Sequence, residues 1–151
     1  MVYPRYRRVN IDGESFYKTE TKLTAAALYP GIAVVIDGNG KFSAAGVSSG
    51  RLFVLGAAEH QGLGILDQIP SGDSAIGNYL EEGRTFAVRV PAGTYTEGQP
   101  VTVGAAGAIG NVPATAGTYN VIGYWAETVT TTQTADFVMM RAKTGETITK
   151  T

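Results

Sequence analysis

The chain contains no cysteine and one histidine. Disulfides, thiolate nucleophiles and thiolate metal sites are therefore excluded. A zinc site of histidine and cysteine has no ligands to use. A serine–histidine–acid triad would have to use His60, and no Gly-x-Ser-x-Gly elbow accompanies it. Charge is also scarce. Charged residues make up 17% of the chain, against a usual ~25%. The net charge is −1, so nothing global attracts nucleic acid or an anionic membrane. No apolar run approaches the ~20 residues that a membrane helix needs. The opening MVYPRYRRVN is basic, but no apolar segment follows it. It reads as neither a signal peptide nor a twin-arginine export signal, and the expectation is an intracellular product.

What is present points to β structure. Hydrophobic residues make up 44% of 151 residues, with 20 glycines. That length suits one domain with a real core. The organising stretch is residues 82–103, EGRTFAVRVPAGTYTEGQPVTV. Phe86, Val88 and Val90 alternate with Thr85, Ala87 and Arg89, the period-two pattern of a strand with one buried face. Pro91-Ala-Gly93 and Glu97-Gly-Gln-Pro100 break the run, and residues 94–96 and 101–103 resume it. Upstream, Ile32-Ala-Val-Val-Ile36 reads as a buried strand. Asp37-Gly-Asn-Gly40 then forms a tight hairpin returning through Lys41–Ala44. Residues 51–55 are the next strand. Leu63, Ile65 and Ile69 supply another, and Pro70-Ser-Gly72 is a turn. Residues 73–83 are a short helix capped by Asp73 or Ser74, or a surface loop. Three alanines favour a short helix over residues 19–28, ended by Pro30-Gly31. Residues 118–128 and 135–142 are the last strands. In residues 118–128, Val121, Gly123 and Trp125 share one face, and Ile122 and Tyr124 the other. KTGETITKT is a polar tail.

Several chemical motifs begin and fail. Asp37-Gly-Asn39-Gly-Lys41 starts like a calcium loop, but Ser48 stands at the twelfth position where glutamate is required. A Walker A motif would need glycine at Val35 and Ser or Thr at Phe42. Gly62-Leu-Gly64 lacks the third glycine of a dinucleotide fingerprint, since Asp67 takes its place. Glu81-Glu82 and Asp67 with Asp73 are carboxylate pairs that ordinary solvation explains. Tyr119, Tyr124 and Trp125 offer rings for bases or sugars, but no basic stripe accompanies them, so packing explains them better. Two charge features remain. Arg5, Arg7 and Arg8 stand among Tyr3, Tyr6, Phe16 and Tyr17, the residue types enriched at interfaces. Between Pro91 and Ala126, Glu97 is the only charged side chain.

The phrases PGIAVVIDGNGKFSAAG, AIGNYLEEGRTFAVRVPAGTYTEGQPVTV and VIGYWAETVTTTQTADFVMMRA follow an arginine- and tyrosine-bearing segment. Over roughly residues 28–142 this chain resembles tailed-phage head decoration, or cement, proteins. The resemblance implies an all-β fold, a small β-barrel or β-tulip/sandwich body with an extended N-terminal arm and a short C-terminal tail. The expected division is arm 1–28, body 29–142 and tail 143–151. The resemblance implies no catalysis and no cofactor or metal. It implies a virion protein on the capsid exterior, made in the host cytoplasm. Its partners would be the major capsid protein and further copies of itself, as a trimer rather than a dimer, with no nucleic acid and no membrane. A tail or fibre module, or a small-ligand or carbohydrate-binding β-barrel, are the competing readings. Expected capsid contacts are Tyr3, Arg5, Tyr6, Arg7, Arg8, Phe16 and Tyr17, on an arm that is either a mobile tail in the free protein or ordered on a partner. Expected subunit contacts are Ala105, Ala106, Ile109, Val112, Tyr124 and Trp125, around a charge-free 104–117 loop packed on a neighbouring chain.

Overall fold

A computed structural model describes residues 4–11, 18–46 and 51–151. Among them the chain forms twelve strands. In chain order these are β1 (Thr19–Leu23), β2 (Ala33–Ile36), β3 (Phe42–Ala44), β4 (Phe53–Leu55), β5 (Ser74–Tyr79) and β6 (Thr85–Val90). They continue as β7 (Gly93–Tyr95), β8 (Pro100–Val103), β9 (Ile109–Asn111), β10 (Gly117–Trp125), β11 (Val129–Thr131) and β12 (Asp136–Lys150). The all-β expectation holds.

Two five-stranded antiparallel sheets carry the architecture. The first runs β1-β5-β4-β2-β3. Its hairpin β2–β3 closes where the sequence places it: the Asp37 carboxylate accepts the amides of Asn39 at 2.8 Å and Lys41 at 3.0 Å. That carboxylate is spent on a turn. The sheet then curls on itself. Thr24 and Phe42 form a parallel bridge, and the Ala25 amide donates to the Phe42 carbonyl at 2.8 Å, which joins the two ends. Phe42, Phe53, Leu55, Val34 and Ile69 fill this small curl. Phe42 and Phe53 meet edge to face, with centroids 5.5 Å apart. A Cβ on Gly77 would stand 2.5 Å from the Phe42 ring, so the ring occupies space that any side chain at position 77 would need.

The second sheet runs β6-β12-β10-β8-β9, and its outer strands β6 and β9 approach each other. It encloses the larger core of Phe86, Val88, Val101, Trp125, Val138 and Met140, to which Ala33 and Val54 of the first sheet also contribute. The two sheets therefore share one apolar interior. A short ribbon, β7–β11, is attached beside them.

Several local expectations are overturned. Residues 19–23 form a strand, not a helix, paired with β5 from Thr19↔Asn78 to Leu23↔Ser74. About ten residues make a marginal isolated helix, and a full row of cross-strand pairs outweighs that preference. The helix or loop expected over 73–83 is β5, held between β1 and β4. Leu63, Ile65 and Ile69 form no strand. A 3₁₀ turn at Glu59–Gln61 precedes them, and Ile69 makes one bridge to Leu28. The stretch 143–150, read as a tail, is the far end of β12, paired as far as Gly117↔Lys150. The simple alternation along β10 also fails. The register jumps from Val121↔Glu146 to Gly123↔Ala142, so Ile122 and Trp125 enter the same core.

Candidate attachment surface

The described part of the arm lies on its own body. β6 has a free edge that needs hydrogen-bond partners, because buried amides and carbonyls are rarely left unpaired. Residues 9–11 supply them. Asn10 bridges Phe86 antiparallel, the Ala87 amide donates to the Val9 carbonyl at 2.7 Å, and the Ile11 amide donates to the Thr85 carbonyl at 3.1 Å. Val9 is 2% exposed and belongs to the large core, with Tyr6 and Ile11 packed against it. The one-face reading of β6 is thereby corrected. Ala87 is as buried as Phe86 and Val88.

Two carboxylates fasten the start of this segment. Asp136, 3% exposed, accepts the Arg5 amide at 3.3 Å, the Phe137 amide at 2.8 Å and the Gln133 side-chain amide at 3.0 Å. Glu127 accepts Arg5 Nη2 at 2.5 Å through Oε1. Its Oε2 accepts the Tyr6 hydroxyl, and the Met139 amide at 2.8 Å. Burial pushes the Glu127 pKa upward, but the hydrogen bonds from Tyr6, Arg5 and Met139 together outweigh it and the carboxyl lies below its usual range. Burial first, then Glu127, pushes Tyr6 up to about 12.

Of the expected capsid contacts, Arg5 and Tyr6 are thus engaged within the chain. Arg7 and Arg8 are exposed, and no salt bridge among the described residues includes them. Arg8 lines a groove of about 240 Å³ between the arm, β1 and β5, together with Asn10, Thr21, Glu59 and Ile76. Tyr3, Phe16 and Tyr17 lie outside the described residues.

The expected subunit contacts do not form one patch. Ile109 and Trp125 are core residues, each 1% exposed. The Trp125 indole donates to Asn111 Oδ1 at 2.7 Å and packs edge-on against Tyr95 with centroids 4.9 Å apart. Their burial is complete without a neighbouring chain. Ala105 and Ala106 are exposed on a turn at one end of β8, and Val112 follows β9 at the other end. Tyr124 is half-buried, with its hydroxyl on Glu146. The 104–117 segment is not a free loop. It contains β9, and the Gly107 amide donates to the Ala45 carbonyl at 2.6 Å. Tyr119, Tyr124 and Trp125 build no stacking platform, since Tyr119 donates to the Thr115 carbonyl at 3.0 Å and Trp125 is buried.

No cluster of three or more His, Cys, Asp or Glu side chains suited to a metal occurs among the described residues. His60 is exposed on the 3₁₀ turn. Glu81 and Glu82 meet Lys18, Arg51 and Lys143 in surface ion pairs. Such pairs account for these carboxylates without any chemistry. No described helix is long and apolar enough to cross a membrane. Sequence reasoning missed Glu127 and Asp136, which hold the arm. Their signal was weak, because an acid near the end of one strand run and an acid near the start of the next look like ordinary surface residues.

Comparison with known proteins adds one match. Residues 1–150 match the family described as XM1 gp53 minor capsid protein. No curated protein matches the chain. The chain belongs to that minor capsid family.

Proposed function

We propose that this phage minor capsid protein is a cement protein. It binds the outside of the capsid and ties neighbouring major capsid subunits together against the pressure of the packaged genome. A clamp that binds only the expanded lattice stabilises that lattice by mass action. Several copies, as a trimer, would multiply weak contacts into avidity. One observation carries the reading: the arm is clasped to a rigid β body by Glu127 and Asp136, so Arg7 and Arg8 are held out as exposed cations with no ion pair of their own among the described residues. Arginine forks pair well with carboxylates on a protein surface. The charge-poor remainder of the chain supports the role too, since few ions need desolvation when it is covered.

The test uses heads assembled without this protein. Wild type should co-sediment with them and raise their resistance to heat. Arg7→Glu with Arg8→Glu should weaken binding about tenfold, because reversed rim charges repel the surface they formerly met. These substitutions are preferable to deleting residues 2–18, which would also remove core residue Val9. Undiminished binding by the folded double variant would move attachment off the arm. Absence of wild-type binding would reject the cement role itself.

A further inference from the structure

Arg89 lies half-buried on β6 with no ion pair among the described residues. Its Nη1 is out of water and has no acceptor among the described residues. What it has is a ring: the guanidinium carbon sits 4.0 Å from the centroid of Tyr29. The backbone enforces this meeting. Gly31, at φ +84°, brings its chain so close to β6 that a Cβ there would stand 2.8 Å from the Arg89 nitrogen. The Arg89 amide donates to the Gly31 carbonyl at 3.0 Å. The residues just before Gly31 are thus laid against the strand, and Tyr29 remains 37% exposed over the arginine.

A partly desolvated cation without a counter-charge is costly, so its retention here calls for an explanation, and a docking partner that supplies the counter-charge is one. Arginine and tyrosine are both enriched at interface hot spots, and stacking on the ring fixes the fork before docking. We propose that Arg89 and Tyr29 form a docking hot spot for a surface carboxylate of the major capsid protein. This rests on the cement reading for the partner's identity. The charge of a guanidinium is delocalised over the whole fork, so a carboxylate meeting its exposed edge supplies the counter-charge that the group lacks. Burial, the largest influence, lowers the Arg89 pKa, with Tyr29 acting in the opposite direction. Part of the desolvation needed for docking is therefore complete in the free protein. A protein carboxylate fits better than nucleic acid, whose binding requires a row of phosphate contacts that a single fork on a chain of net charge −1 does not supply.

Two measurements test the proposal. In the first, Arg89→Lys and Arg89→Gln are compared with wild type for co-sedimentation with heads assembled without the protein, after circular dichroism has verified folding. Both variants should bind about tenfold more weakly, lysine included, since it lacks the planar fork. Equal binding by a folded Arg89→Lys variant, while Arg7→Glu with Arg8→Glu loses affinity, overturns the hot spot and leaves the cement role standing. The second needs no capsid. The Arg89 Nε–H resonance of the free protein is titrated with hexaglutamate and, separately, with inorganic phosphate. A saturable shift with hexaglutamate that weakens in Tyr29→Leu is expected. No shift overturns the proposal even if the cement role also fails, and a shift with phosphate alone overturns it in favour of a phosphate site. Dissociation of a solution oligomer by Arg89→Lys overturns it in favour of a contact between copies.

Discussion

At Gly107 an added carbon has no space. The residue sits at φ +73°, and its Cβ would lie 2.3 Å from the Ala33 carbonyl oxygen. Its amide is already committed to Ala45. Backbone strain and overpacking add here, so Gly107→Ala should cost about 2–4 kcal/mol in chemical denaturation. Gly110→Ala, with nothing within 4 Å of the new carbon, is the control and should cost far less. A near-neutral Gly107→Ala would mean that the turn between β8 and β9 is not pinned to the first sheet. Glu127 yields a second expectation, with a definite sign. Its folded pKa is lowered, so its contribution is present above the unfolded value, roughly 4.3, and is lost as pH falls through the folded value. Tyr6, raised to about 12, behaves oppositely: its contribution is present below the unfolded value of about 10 and is lost as pH rises toward the folded one. The arm should therefore be held across the neutral range and loosen at both extremes. Hydrogen exchange at the Ala87 amide, which donates to Val9, reports this directly. Glu127→Gln should lower that protection at neutral pH and flatten its acid limb. Unchanged protection would show that Val9 and Asp136 hold the arm without Glu127.

At the level of elements, the distal ends of β10 and β12 form a ribbon beyond the Val121–Gly123 register shift, with pairs from Gly117↔Lys150 to Val121↔Glu146. An isolated two-stranded ribbon is marginal in water. This one is tied down by the Tyr124 hydroxyl on Glu146 and by the Thr102 hydroxyl, which donates to the Asn120 carbonyl at 2.7 Å. Ending the chain at residue 145 should leave a folded body but cost about 1–3 kcal/mol, chiefly from unpaired groups and an uncovered Val121. Exchange at residues 118–121 should accelerate, and unchanged rates there would mean the ribbon contributes nothing. The same element shows what the sequence could and could not reveal. TYNVIGYW read as a strand from its β-branched and aromatic content, and Asp37-Gly-Asn-Gly40 read as a hairpin from turn chemistry; both signals are local. KTGETITKT carried no apolar face, so its pairing with β10 was invisible to any pattern of burial. Thr19–Leu23 and Ser74–Tyr79 were misread for a related reason: each is a strand because of the other, across more than fifty residues of chain. The proposed attachment surface was half legible. Arg7 and Arg8 stood out as charges in a neutral chain, whereas the clasp needed Glu127 and Asp136, which only the fold brings to Arg5.

For the molecule as a whole, the decisive fact is that three parts of the chain share one core. Val9 comes from the arm, Ala33, Leu52 and Val54 from the first sheet or its flanks, and Phe86, Trp125 and Met140 from the second sheet. The smaller cluster of Phe42, Phe53 and Ile69 also holds Val34 and Leu55, which adjoin Ala33 and Val54 of the large core along β2 and β4, so it cannot melt without disturbing that core. A shared interior couples the parts, because loosening one exposes apolar surface of the others. Unfolding should therefore be a single cooperative transition. Trp125 fluorescence reports the second sheet, and far-ultraviolet circular dichroism reports strands in both. The two denaturation curves should coincide. Val9→Ala should shift both together by about 1–3 kcal/mol, the cost of removing buried methyl groups and leaving a cavity. If the curves separate, or if Val9→Ala moves only the fluorescence transition, the sheets are independent units. A capsid clamp built on independent units would yield at the weaker one under load, so coincidence of the two curves is also what the proposed cement role requires of this body.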